Sequence, residues 1–210
     1  MNDKFMELKE IVNLESISNY LKFMVNSIDI GSDDCIFVMI DIQEKLGKAI
    51  YQIDEVIKQV NILNKASELL DIPLIITEQY PKGLGETMKN IYIPHNSHKI
   101  EKTKFSIFTN DFFNILDTFE RRTTKKPILV LYGIETHICV AQSILEAIKN
   151  AYHIILVEDA VSSRKSHSKE IALKLLADKG IEIVTTEMLL FRLLKDAKHP
   201  KFKEISNLIK

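Results

Sequence analysis

Five short apolar runs, each four to six residues long and rich in Ile and Val, alternate along the chain with segments of helical periodicity. The runs are Cys35 to Ile40, Pro73 to Ile76, Ile128 to Tyr132, His153 to Val157 and Ile181 to Val184. Each is too short for a buried helix and lacks the polar–apolar alternation of a half-exposed strand, so each reads as a strand buried on both faces. Strands of that kind belong to parallel sheets covered by helices on both sides. Between them, Ile53, Val56, Ile57, Val60, Leu63 and Leu70 mark one helical face. Residues 112–120, 138–150, 168–179 and 186–194 repeat the pattern, with Gly180 placed as a C-cap. A weaker strand is expected at 98–102. The fold expected is therefore α/β: an open, doubly wound, mainly parallel six-stranded sheet, three layers deep.

Two segments stand outside the alternation. Residues 1–33 show apolar spacing at Phe5, Leu8, Ile11 and Val12, and again at Ile17, Tyr20, Leu21, Met24 and Val25. They read as an amphipathic helical extension, leaving 34–210 as one domain. The stretch from Glu78 to Lys99, with Pro81, Gly83, Gly85 and Pro94, is long for a connection, and long loops in compact domains are usually functional. A domain of this length buries about 70% of its unfolded surface and needs no covalent staple. That matters because the chain has only two cysteines, Cys35 and Cys139, too few for a disulfide framework. With 28 Lys plus Arg against 29 Asp plus Glu, it lacks the basic footprint of a general nucleic-acid binder. No apolar run approaches the roughly 20 residues of a membrane span. The first residues resemble neither a secretory signal nor a transit peptide. The expectation is a cytoplasmic protein with free thiols that binds neither nucleic acid nor membrane.

Ligands of open α/β sheets bind beyond the carboxyl ends of the strands, so the residues at those ends are the candidates. The first strand delivers Asp41 and Gln43, the second Thr77, Glu78 and Gln79. The Ile128–Tyr132 strand delivers Gly133-Ile134-Glu135-Thr136-His137-Ile138-Cys139. A thiol at the start of the following helix sits at the positive end of its dipole, which favours the thiolate. Asp41 is the nearest candidate carboxylate, and Lys104 a candidate cation. Each has a plainer reading alone: Asp41 as a cap, Lys104 as a surface lysine, Cys35 as core filler. His95 and His98 have H-x-x-H spacing but no carboxylate joins them, so no metal is expected.

Together these blocks carry a resemblance. Asp41 with Gln43, Lys102-Thr103-Lys104-Phe105-Ser106-Ile107-Phe108, and Gly133 through Val140 resemble the signature blocks of the isochorismatase-like cysteine hydrolases. Glu158 through Arg164 and Thr185-Thr186-Glu187 match the same family. Thr77 through Gly85 and His199 through Ile205 are similar to its isochorismatase-domain-containing branch, whose substrates are poorly defined. The resemblance implies a Cys-Asp-Lys triad in which Cys139 is the nucleophile, Asp41 the base and Lys104 the cation orienting them. It implies a cis peptide between Ile134 and Glu135, and an oxyanion hole from the backbone N–H groups of Glu135 and Cys139. Gln43, Gln79, Tyr80, Phe105, Ile134 and His137 are expected around the substrate. Two departures narrow the chemistry. The metal-binding Asp and His pair of nicotinamidases is missing from residues 77–85, so no cofactor is implied. True isochorismatases lack the cysteine, so Cys139 points to a small amide, imide or ester. The family also implies a homo-oligomer. The alternatives are a non-catalytic binding module on the same fold and a redox-responsive thiol at Cys139.

Overall fold

A computed structural model describes residues 30–95, 97–123 and 125–210. The chain divides into Met1–Gly31 and Ser32–Lys210, and the second unit is described here. The helical extension expected at 1–33 falls almost wholly outside the described residues.

Six parallel strands form one sheet: β1 (Cys35–Ile40), β2 (Leu74–Gln79), β3 (His98–Lys102), β4 (Ile128–Ile134), β5 (His153–Ser162) and β6 (Glu182–Val184). Their spatial order is β3-β2-β1-β4-β5-β6. Every residue of β1 is buried, and β4 and β5 are nearly so, as continuous apolar runs require in a sheet covered on both faces. Cys35 lies within this core.

The helices are α1 (Glu44–Gly47), α2 (Ile53–Leu69), α3 (Pro81–Leu84), α4 (Asn110–Thr123), α5 (Ala141–Lys149), α6 (Ser166–Asp178), α7 (Thr186–Leu194) and α8 (Phe202–Ile209). Helices α2, α7 and α8 pack on one another over one face of the sheet. Right-handed crossovers place α4, α5 and α6 over the other. Strand order reverses between β1 and β4. At that switch point the connections leave in opposite directions and open a crevice beyond the carboxyl ends.

Two strands run further than their apolar cores. β4 passes through Gly133 to Ile134, and β5 through Glu158 and Asp159 to Ser162. Between Leu131 and Gly133 the β4–β5 register slips, so that Gly133 faces Val161. Gly133 permits this: at φ 119° it adopts a conformation closed to other residues. A Cβ there would lie 2.2 Å from the Ile40 carbonyl oxygen, so only glycine lets β4 close on the end of β1. The helix expected at 138–150 also divides. Residues Thr136–Val140 form a π-helical turn, in which the Val140 N–H donates to the Glu135 carbonyl at 3.2 Å, and α5 follows. Such wide turns occur often at functional sites.

Candidate active site

Asp41 ends β1 with φ 51°, a left-handed conformation that Asp tolerates better than most residues. Its backbone N–H donates to the Thr77 carbonyl at 3.1 Å, tying it to β2. Its carboxylate is wholly buried and held on both oxygens. The Thr77 hydroxyl donates to Oδ1 at 2.7 Å, and the Lys102 ammonium donates to Oδ2 at 2.6 Å. Both side chains of the Asp41–Lys102 pair are sealed from solvent.

The lysine expected at this position was Lys104, and the structure corrects it. Lys104 is exposed beyond the end of β3. On β3 side chains alternate faces, so Lys102 shares the inward face of Ile100. From there Lys102 Nζ lies within hydrogen-bond distance of Asp41 Oδ2, Gln79 Oε1 (2.8 Å), and the carbonyls of Phe105 (3.2 Å) and Lys104 (3.3 Å). Lys104 thus contributes a backbone oxygen, not its charge.

Gln79 and Gln43 build the support for that lysine. Gln79 aims Oε1 at Lys102 while its Nε2 donates to the Thr103 carbonyl at 2.7 Å. Gln43, expected to meet the substrate, is instead wholly buried. Its Nε2 donates to the Gln79 and Gly85 carbonyls at 3.1 and 2.6 Å, and its Oε1 accepts from the Gln79 N–H at 2.7 Å. With its amide committed to backbone groups, Gln43 clasps the loop after β2 rather than offering a contact to a ligand. Ile134 is likewise fully buried.

Cys139 sits in the π-helical turn, 6% exposed. The sequence led to an expectation of a depressed thiol pKa, but the thiol is pushed up to about 12. Burial is the main cause, followed by the negative charge of Asp41. The Lys102 charge opposes the rise, the hydrogen bond to the Asp41 carboxylate adds to it, and the Glu135 backbone N–H again opposes it. Loss of solvation and a buried carboxylate beside the sulfur outweigh the field of the helix start. The resting group is a neutral thiol paired with Asp41.

The turn itself is braced. The Ile134–Glu135 peptide is cis. Glu135 Oε2 accepts from the backbone N–H of Arg164 at 2.9 Å and from its Nε at 3.1 Å. His137 Nδ1 and the Ser163 hydroxyl are 2.9 Å apart. Ser143, in α5, donates to the Cys139 carbonyl at 2.6 Å and accepts from the Ile107 N–H at 3.0 Å. It joins the Cys139 turn to the segment after Lys102. Ser143 carried no signal in the sequence, because its role depends on a loop 36 residues away. For Lys102 the signal was the end of the strand: Lys102 and Lys104 share the parity of Ile100, but β3 stops at Lys102.

At the outer edge of this site Tyr80, Pro81, Lys82, Glu101, Lys102, Thr103, Lys104, Thr109 and Asn110 line a cavity of about 570 Å³ that is open to solvent. Tyr80 and Phe105 are both more than half exposed. Among the described residues no group of three or more His, Cys, Asp or Glu side chains gathers as metal ligands would. No described helix is long and apolar enough to cross a membrane.

Known proteins resemble this chain along most of its length. The model of the isochorismatase domain matches residues 35–188. Isochorismatase family protein 1A of Dictyostelium discoideum is 40% identical over 169 residues, 79% of this chain and 81% of that protein. Isochorismatase domain-containing protein 1 of Danio rerio is 36% identical over 178 residues, 83% of this chain and 60% of that protein. Among solved structures, the MAR1 ribonuclease of Caenorhabditis elegans superposes with a TM-score of 0.78 at 34% identity, covering 86% of this chain and 92% of its own.

Proposed function

The chain belongs to the isochorismatase family, and from that premise we propose that it is a metal-independent cysteine hydrolase of a small amide, imide or ester. The observation that carries this reading is the buried Asp41 carboxylate, gripped by Lys102 and Thr77 while it accepts from the Cys139 thiol. Cys139 is the nucleophile, Asp41 the base, and Lys102 takes the role that the sequence assigned to Lys104.

A thiol with a pKa near 12 holds almost no thiolate at neutral pH, so attack and deprotonation must be coupled. As the sulfur bonds to the substrate carbonyl carbon, its proton passes to the free lone pair of Asp41. The Glu135 N–H, already directed at the sulfur, and the Cys139 N–H then hold the developing oxyanion. Removing such a donor typically slows a reaction on the order of a hundredfold or more. Collapse breaks the bond to the leaving nitrogen or oxygen, which takes the proton from Asp41. Water next gives Asp41 a proton and its oxygen to the thioester, releasing the acid and restoring the thiol. Lys102 stays paired with the Asp41 carboxylate through both half-reactions. Gln79 and the Phe105 carbonyl stop that ammonium from turning away.

A redox-responsive thiol is disfavoured by the same burial, since oxidation follows thiolate character and exposure. A nuclease reading, suggested by the name of the Caenorhabditis elegans relative, draws no support from the overall charge of the chain, formally −1. The test is incubation with a panel of small amides and esters, followed by mass spectrometry of the intact protein. An acyl adduct on Cys139, absent in Cys139→Ala together with turnover, is expected. Full turnover by Cys139→Ala would overturn the reading. The homo-oligomer expected from the family resemblance would be detected by light scattering.

A further inference from the structure

The cavity at the outer edge of the site has a composition that the hydrolytic centre does not use. Its wall carries three lysines, Lys82, Lys102 and Lys104, and one carboxylate, Glu101. Lys102 is neutralised by Asp41. Lys82 and Lys104 are different: neither ammonium has an ion-pair or hydrogen-bond partner among the described residues. Two uncommitted cations against one carboxylate leave the cavity with a net positive lining. Polar groups capable of hydrogen bonding stand beside them, at Thr103, Thr109 and Asn110.

The same wall has an apolar side whose position is set by the backbone. Tyr80 holds φ 38°, and its ring lies over Gly83, where a Cβ would come within 2.5 Å of two ring carbons. Gly83 is itself anchored, its carbonyl accepting from Lys45 Nζ at 2.7 Å. The ring is thus braced on one side while 54% of the residue stays exposed, with Pro81 next to it on the cavity wall. At about 570 Å³ the space lies within the range of about 300–1,000 Å³ typical of small-molecule sites.

We propose that this cavity binds a small organic anion, a carboxylate or phosphate on a flat apolar body, with the charge against Lys82 and Lys104 and the body against Tyr80 and Pro81. Lys102 belongs both to the cavity wall and to the Asp41 pair, so a ligand held here is one side chain from the reacting centre. On the hydrolase reading the anion is the non-reacting end of the substrate. Cys139 is only 6% exposed, and with the larger part of the molecule resting beside the centre only the scissile carbonyl has to reach the sulfur.

Calorimetric titration of the Cys139→Ala protein with phenyl phosphate, benzoate and benzyl alcohol tests this without relying on turnover. Both anions are expected to bind, and the neutral alcohol to bind far more weakly. The Lys82→Ala, Lys104→Ala double variant should lose on the order of tenfold in anion affinity, since exposed ion pairs contribute modestly. Added salt should weaken the same interaction. Tyr80→Ala should weaken both anions similarly, and inorganic phosphate should compete only feebly because it lacks the apolar body. Equal affinity for the alcohol, or anion binding that survives the double variant, would overturn the proposal. So would a short single-stranded RNA displacing phenyl phosphate at lower concentration than the small anions. The two readings fail separately. Anion binding without any Cys139 adduct would remove the hydrolase and leave the cavity. An adduct from esters whose KM is indifferent to the double variant would do the reverse.

Discussion

Replacing Lys102 by methionine, beside the same change at Lys104, separates a buried counter-ion from a surface charge two residues away. Methionine keeps most of the stem and removes the ammonium. In the native protein that ammonium is the partner of Asp41 Oδ2 at 2.6 Å and of Gln79 Oε1 at 2.8 Å, with both charged side chains inaccessible to solvent. Its loss leaves a carboxylate in the core without a cation. Breaking a buried pair from one side costs about 3–5 kcal/mol, against a total stability of about 5–15 kcal/mol. For a domain of this size that corresponds to a fall in Tm of roughly 6–20 °C. Lys104→Met removes an exposed charge and should stay within about 0.5 kcal/mol of the parent. Urea denaturation followed by circular dichroism measures both. Iodoacetamide labelling of Cys139 adds a chemical readout: the Lys102 charge lowers the thiol pKa, so Lys102→Met should label more slowly and Lys104→Met at the parent rate. Equal midpoints for the two variants, or slower labelling in Lys104→Met, would refute the assignment.

Asp41→Asn should label faster than the parent at a given pH, because both the charge and the hydrogen bond of Asp41 raise the thiol pKa, yet it should lose turnover; slower labelling would argue against the pairing. Gly133→Ala should cost about 2–5 kcal/mol, since its Cβ would strike the Ile40 backbone at a φ disfavoured for alanine, and limited proteolysis should show the loosened β1–β4 seam. Ser143→Ala leaves the Cys139 carbonyl and the Ile107 N–H without their shared partner, at about 1–3 kcal/mol; kcat should fall more than KM rises, with threonine restoring part of it. Alkali should also weaken the fold. Cys35 and Cys139 are both raised from 9.0 to about 12, so the unfolded chain releases their protons first; their contribution is intact below pH 9 and is lost as pH rises towards 12, as urea midpoints across that range would show.

The chain's own pattern was enough for the architecture. Continuous apolar runs at β1, β2, β4 and β5, separated by helical periodicity, admit little besides a covered parallel sheet, and strand-end logic then leads to Asp41 and the segment ending in Cys139. These are local or periodic properties, written in neighbouring residues. What the sequence could not decide depended on contacts between distant segments. Lys102 and Lys104 are equally charged and adjacent in pattern. β3 ends at Lys102, whose side chain turns inward to Asp41, 61 positions away, while Lys104, of the same parity but beyond the paired strand, stays on the surface. Gln43 looked like a ligand contact until the loop after β2 folded over it and took up its amide. The thiol's ionisation reversed for the same reason. A helix-start position favours thiolate when it faces water, but tertiary packing removes the water and places a carboxylate beside the sulfur. Periodicity sets which face a residue occupies. What lies opposite that face, and whether solvent reaches it, is decided by the tertiary structure, because desolvation and Coulomb terms depend on distances through space rather than along the chain.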